Sequence, residues 1–162
     1  MNHPLIEKYV PAMIDAAHTI GAVQTRNLGT LGGNLVTCVP SMDSGPTLVA
    51  LDAEVTVLGQ KGARHMPLTE FFVGPRKTIL QSDELLVDIV IPKHNLGKPT
   101  AFYKFGLRKG QALALVNVAS SLWVKDGKFA DVRISLGAVA PVVIRCPNAE
   151  ASLEGQEVSK NE

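Results

Sequence analysis

The segment "TLGGNLVT", Thr30 to Thr37, sets two adjacent glycines, Gly32 and Gly33, among the hydrogen-bonding side chains of Thr30, Asn34 and Thr37. Neighbouring glycines allow successive backbone N–H groups to face one point, a nest that suits phosphate oxygens. The hydroxyls and the amide add further donors within one short stretch. The chemistry available to such a pattern is holding a diphosphate rather than breaking a bond. It lacks the lysine of a P-loop and the GxGxxG spacing of a dinucleotide turn. The same glycines, with Gly29, equally suit a tight turn before a short strand or helix.

No other residue pattern in the chain points to bond-breaking chemistry. There is no GxSxG elbow, and His3, His18, His65 and His94 form no metal-binding pair. Cys38 and Cys146 stand far apart with no CxxC spacing, which argues against zinc or an iron–sulfur cluster. No catalytic residue and no metal ligand is assigned. A protein built to hold phosphate without an acid–base or nucleophilic pair fits a bound flavin, which brings its own redox chemistry and asks the protein for binding and orientation.

The charge balance excludes several partners. Sixteen basic and fifteen acidic residues in 162 leave a formal net charge of +1, too little to draw in nucleic acid or to hold an anionic membrane. Apolar runs are too short to span a bilayer. The unpaired cysteines and the absence of a signal-peptide pattern fit a reduced, cytoplasmic protein.

The elements that must position the glycine segment can be read from periodicity. Apolar residues from Pro4 to about Ile20 recur at helical spacing, and Pro11 should kink or divide that helix. A short buried helix is expected at about Pro46 to Leu51, then a strand near Glu54 to Leu58, a return strand, and a turn closed by Gly74-Pro75. "ELLVDIVIP" reads as a strand with Val87, Ile89 and Ile91 on one face. The polar stretch "KHNLGKPT" marks a domain boundary, dividing the chain into 1–95 and 96–162. Beyond it "AFYKFGLR" is strand-like, and two alternating segments meet at Asp126-Gly127, a strong hairpin signal. Val116, Val118, Ser120, Leu122 and Val124 share one face of the first segment; Val132, Ile134, Leu136 and Ala138 share one face of the second. A short helix is expected from Pro147 to about Leu153, followed by a frayed polar tail. The class is α+β with an antiparallel sheet.

These blocks, in this order, resemble a known family. "RNLGTLGGNLVTCVPSMDSGPTLVALDAEVTVLG", "PLTEFFVGPRKTIL", "DELLVDIVIP", "FYKFGLRKGQALALVNVASSL" and "ISLGAVAPVVIRCPNAEASLEG" are similar to the flavin (medium) subunits of molybdenum hydroxylases, the xanthine dehydrogenase and carbon monoxide dehydrogenase type. The "APVVIRC" block leans toward the xanthine dehydrogenase branch. The resemblance implies the second half of a two-subdomain, PCMH-type FAD-binding domain, followed by the start of a C-terminal antiparallel α+β domain. It implies FAD as cofactor. Thr30, Gly32, Gly33 and Asn34, with Thr37 beside them, would hold the FAD pyrophosphate. Asp43 would lie on the adenosine–ribityl side, Leu86 would pack near the isoalloxazine ring, and Lys104 would favour an anionic reduced flavin. Partners would be a molybdenum-cofactor subunit and an iron–sulfur subunit, with NAD or another electron acceptor. Cys38 and Cys146 would be small buried residues.

The family's first, "AGGT"-like glycine segment has no counterpart in this sequence, so the chain reads as a fragment, inactive by itself and a weak flavin binder. A cofactor-free structural or subunit-interaction module of the same fold is the alternative.

Overall fold

A computed structural model describes residues 3–108 and 112–158. The chain opens with two short helices, α1 (Pro4–Tyr9) and α2 (Pro11–Thr19). Pro11 divides them as expected: it sits in the first turn of α2, where its missing N–H costs nothing. His3 starts α1, its Nδ1 accepting from the Leu5 N–H at 3.3 Å.

The next stretch differs from expectation. In place of a nest or tight turn, the segment folds into two helices, α3 (Val23–Leu28) and α4 (Leu31–Thr37). Among the glycines with left-handed φ, none comes from this segment. Gly32 and Gly33 are helical, and what fixes the helix start is Thr30, whose Oγ1 accepts from the Gly33 N–H at 2.9 Å. The glycine at 33 matters for space: a Cβ there would lie 2.9 Å from Thr30 Oγ1.

Helix α5 (Ser44–Ala50) follows, and all seven of its residues are buried. Strands β1 (Glu54–Gly59) and β2 (Gly62–Pro67) form a hairpin, and a helical turn, α6 (Leu68–Phe71), leads to the small pair β3 (Phe72–Gly74) and β4 (Lys77–Thr78). Strand β5 (Leu85–Val90) joins the other edge of β1, giving an antiparallel sheet of order β2-β1-β5. A register shift opposite Thr56 and Val57 leaves Val87 as an extra residue in the β1–β5 ladder. The expected alternation therefore fails here. Leu86 and Ile89 pack against the core, while Val87 is half exposed.

A 3₁₀ turn at Lys93–Asn95 leads into β6 (Thr100–Gly106), β7 (Ala114–Lys125), β8 (Lys128–Gly137) and β9 (Ile144–Arg145), an antiparallel sheet in that spatial order. Asp126 and Gly127 both take positive φ, at 51° and 74°, as the tight β7–β8 turn requires. The last helix is α7 (Pro147–Leu153). The residues after it are pinned through Val158 rather than frayed: Phe129 N–H donates to Gln156 O and Val158 N–H to Gly127 O. The tail at 159–162 lies outside the described residues.

Helix α5 sits on one face of the β6–β9 sheet. That face carries small residues: Ala119, Ser121, Ser135 and Gly137 are buried, and the serine hydroxyls donate to Ala50 O and Pro46 O of the helix at 2.5 Å each. Small side chains let the helix backbone come close, and the hydroxyls satisfy carbonyls that would otherwise be stranded. The apolar face of Val116, Val118, Ile134 and Leu136 is only half buried.

The polar stretch at 93–100 is no loose connector. Asn95 and the Lys98 side chain are fully buried. Asn95 Nδ2 donates to Leu51 O at 2.9 Å, and Lys98 Nζ pairs with Asp131 at 2.8 Å. On the same side Arg133 and Arg145 both reach Asp52, and Arg145 makes a two-pronged pair with Glu150. Charged side chains thus stitch the first part of the chain to the β6–β9 sheet.

Candidate functional site

The glycine-bearing start of α4 faces α1 and α2 across a cleft of about 670 Å³. One wall is apolar, from Ile6, Met13, Ile14, Ala17 and Ile20; the other brings Arg26, Thr30, Gly33, Asn34 and Thr37. A second lobe of about 360 Å³ shares Ile20, Thr25, Asn34 and Thr37 with the first and runs on to Asp43. Clefts of this size, mostly apolar with a few converging polar groups, are typical of cofactor sites.

The polar groups have distinct capacities. Helix geometry leaves the first-turn N–H groups of Leu31 and Gly32 without intrahelical acceptors. Thr30 Oγ1 already accepts from Gly33, which leaves its own O–H to donate. Thr37 is the reverse: its hydroxyl donates to Gly33 O at 2.7 Å, so it offers lone pairs rather than the donor expected. Ser44 Oγ donates to Asn34 Oδ1 at 2.5 Å, and no acceptor among the described residues meets Asn34 Nδ2.

Asp43 and Lys104 are brought together, but in a way the sequence did not indicate. Their side chains are 6% and 9% exposed and pair at 2.6 Å. Asn117 Nδ2 donates to the other Asp43 oxygen at 2.9 Å, and Lys104 Nζ also reaches Thr19 O at 3.1 Å. The lysine expected as a free charge beside a flavin has its charge compensated by Asp43. Of the expected residues, Gly32, Leu86 and Lys104 line neither lobe; Leu86 instead packs behind α4, 3.7 Å from where a Gly32 Cβ would stand.

Cys38 is buried, its Sγ donating to Gly74 O at 3.3 Å, and burial pushes its thiol above the ordinary value. Cys146 is only partly buried, a departure from the expectation for it. Among the described residues no cluster of three or more His, Cys, Asp or Glu could hold a metal, and no helix is long and apolar enough to cross a membrane.

Comparison with known proteins decides the family. Residues 1–94 match the family profile described as FAD binding domain in molybdopterin dehydrogenase, and residues 101–162 match the CO dehydrogenase flavoprotein C-terminal domain. The chain belongs to this family. The xanthine dehydrogenase FAD-binding subunit of Escherichia coli O157:H7 is 31% identical over 93% of this chain and 52% of its own length. The nicotine 6-hydroxylase medium subunit of Paenarthrobacter nicotinovorans is 36% identical over 98% of this chain and 55% of its own. A solved carbon monoxide dehydrogenase from Hydrogenophaga pseudoflava superposes with a TM-score of 0.90 at 32% identity, over 98% of this chain and 55% of that one. The chain spans about half the length of the curated relatives it matches. Its mixed helix and antiparallel-sheet fold is that of the medium subunits, and the relatives are subunits of oxidoreductases.

Arg26 was missed from sequence. It is an arginine in the cleft wall, two residues before an unremarked helix end. The one signal was its place four residues ahead of Thr30 in "RNLGT".

Proposed function

We propose that this chain forms one wall of an FAD site in the electron-transfer subunit of a cytoplasmic molybdenum hydroxylase. Residues 1–95 would carry the cofactor wall and residues 96–162 the C-terminal domain behind it. Partners would be an iron–sulfur subunit that delivers electrons and a molybdenum-cofactor subunit that generates them, with NAD or another molecule as acceptor. The observation that carries the reading is the two-lobed cleft, whose donors fit an extended ligand with a polar middle. First-turn N–H groups, the Thr30 hydroxyl and the Asn34 amide lie together on one wall, opposite apolar helices that suit a flat ring or an alkyl chain.

Flavin, when bound, accepts and releases electrons singly or in pairs. The protein's own part is to bind and orient. Thr30 and the α4 amides would hold the diphosphate, Asn34 would donate at the junction of the lobes, and Thr37 would accept. Asp43 would border the smaller lobe while remaining held by Lys104 and Asn117.

The test is an FAD titration of the purified chain, read by visible absorbance and flavin fluorescence after desalting. Retained flavin would support the site, and Gly33→Val should then abolish retention, because the new Cβ would stand 2.9 Å from Thr30 Oγ1 and break the cap. Equal retention by Gly33→Val would remove α4 from the site. No retention by the wild type, with stable binding to the other subunits, would instead support the cofactor-free module.

A further inference from the structure

Arg26 is the one permanently charged side chain among the described residues that line the larger lobe. The lobe's other titratable side chain, His3, uses Nδ1 to cap α1. The guanidinium is held in place by one nitrogen. Nη1 donates to Ile20 O at 2.7 Å and lies 3.4 Å from His18 O and Gly21 O, the carbonyls where α2 ends. Nε is buried without a partner, and no acceptor among the described residues meets Nη2. No carboxylate among the described residues pairs with it either.

The contrast with the rest of the chain is sharp. The other partly buried arginines among the described residues, Arg64, Arg133 and Arg145, each pair with carboxylates. A partly buried cation left without a counter-charge is costly unless an anion pairs with it. Carbonyl anchoring through Nη1 fixes the plane of the fork, and Nη2 is the nitrogen left both accessible and without a partner among the described residues. A planar guanidinium with free N–H groups matches phosphate oxygens better than any other side chain.

We infer that Arg26 is the charge partner of the diphosphate in the bound dinucleotide, and that it makes the site select ligands carrying a diphosphate over their uncharged counterparts. This rests on the cleft being the FAD site proposed above. Arg26 thereby adds charge neutralisation to the neutral donors of Thr30 and Asn34, none of which can distinguish a dianion from a neutral polar group.

The experiment compares wild type, Arg26→Gln and Arg26→Lys for FAD binding by fluorescence titration, with ADP and adenosine as competitors. Hydrogen bonds to a charged group predict that Arg26→Gln weakens FAD by about 30-fold, roughly the 2 kcal/mol such bonds contribute. ADP should displace FAD from the wild type at least about tenfold better than adenosine, one pairing's worth of discrimination. That preference should vanish in Arg26→Gln and partly return in Arg26→Lys, which restores charge but not the fork. If wild type binds FAD but shows no preference for ADP over adenosine, the inference is overturned. If Arg26→Gln weakens ADP and adenosine alike, Arg26 merely anchors the end of α2, and the inference is again overturned. Failure of the wild type to bind FAD at all would instead bring down the site assignment itself.

Discussion

Replacing Lys104 with methionine tests how the two parts of the chain are joined. Lys104 Nζ and Asp43 Oδ2 are 2.6 Å apart, with side chains 9% and 6% exposed, so water screens the pair little. Lys104→Met leaves a buried carboxylate whose remaining partner is the Asn117 amide on the other oxygen. Breaking a buried pair by removing one member costs about 3–5 kcal/mol, mostly the burden of the charge left behind. For a chain of this length that corresponds to a fall in Tm of roughly 6–20 °C. If this account is right, adding Asp43→Asn to the Lys104→Met background should recover a large part of the loss, since the stranded charge goes with it. Urea unfolding of the wild type, both single variants and the double variant gives the coupling directly. Additive losses would refute the reasoning, as would a Lys104→Met protein within about 0.5 kcal/mol of wild type, the size of an ordinary surface change.

Two further outcomes follow from the seam. Burial raises the Glu150 carboxyl, but the Arg145 pair and the Ile134 N–H outweigh it and hold the group below its usual value; at Asp131, Lys98 and Arg133 outweigh burial in the same way. With folded-state values depressed, the stability these groups contribute is full above the ordinary carboxylate range and drains away as pH falls through it, from about pH 4 downward. Thermal melts between pH 7 and pH 3 should show this fall, and Glu150→Gln should make it shallower; an unchanged slope would remove Glu150 from the account. Gly137→Ala should destabilise by about 1–3 kcal/mol, because its Cβ would collide with Asn117 Oδ1 and crowd Pro46 on α5. A Tm equal to wild type would show that the Asn117 amide and α5 can both give way at no cost.

Local order was legible in the sequence wherever one short stretch held all the determinants. Pro11 divides α1 from α2 because a proline acts on its own turn of helix. Asp126-Gly127 makes its hairpin because both residues tolerate positive φ. The order of the sequence blocks sufficed to place the chain in its family. Within the glycine segment the residue types were right for a cleft wall, and Thr30, Gly33, Asn34 and Thr37 do line one.

Tertiary structure decided what alternation and composition leave open. Period-two patterning says that β7 and β8 have two faces; it does not say which one receives a helix. Packing chose the face of Ala119, Ser121, Ser135 and Gly137, because α5 needs close approach and serine hydroxyls more than it needs bulk. One extra residue at Val87 exchanged the inward positions of β5, a register effect that depends on its partner strand. Asp43 and Lys104 are 61 residues apart, and only folding reveals that they neutralise each other while Arg26 lines the cleft with no carboxylate partner among the described residues. Which charges cancel is a property of distances in space, and the chain order carries no record of them.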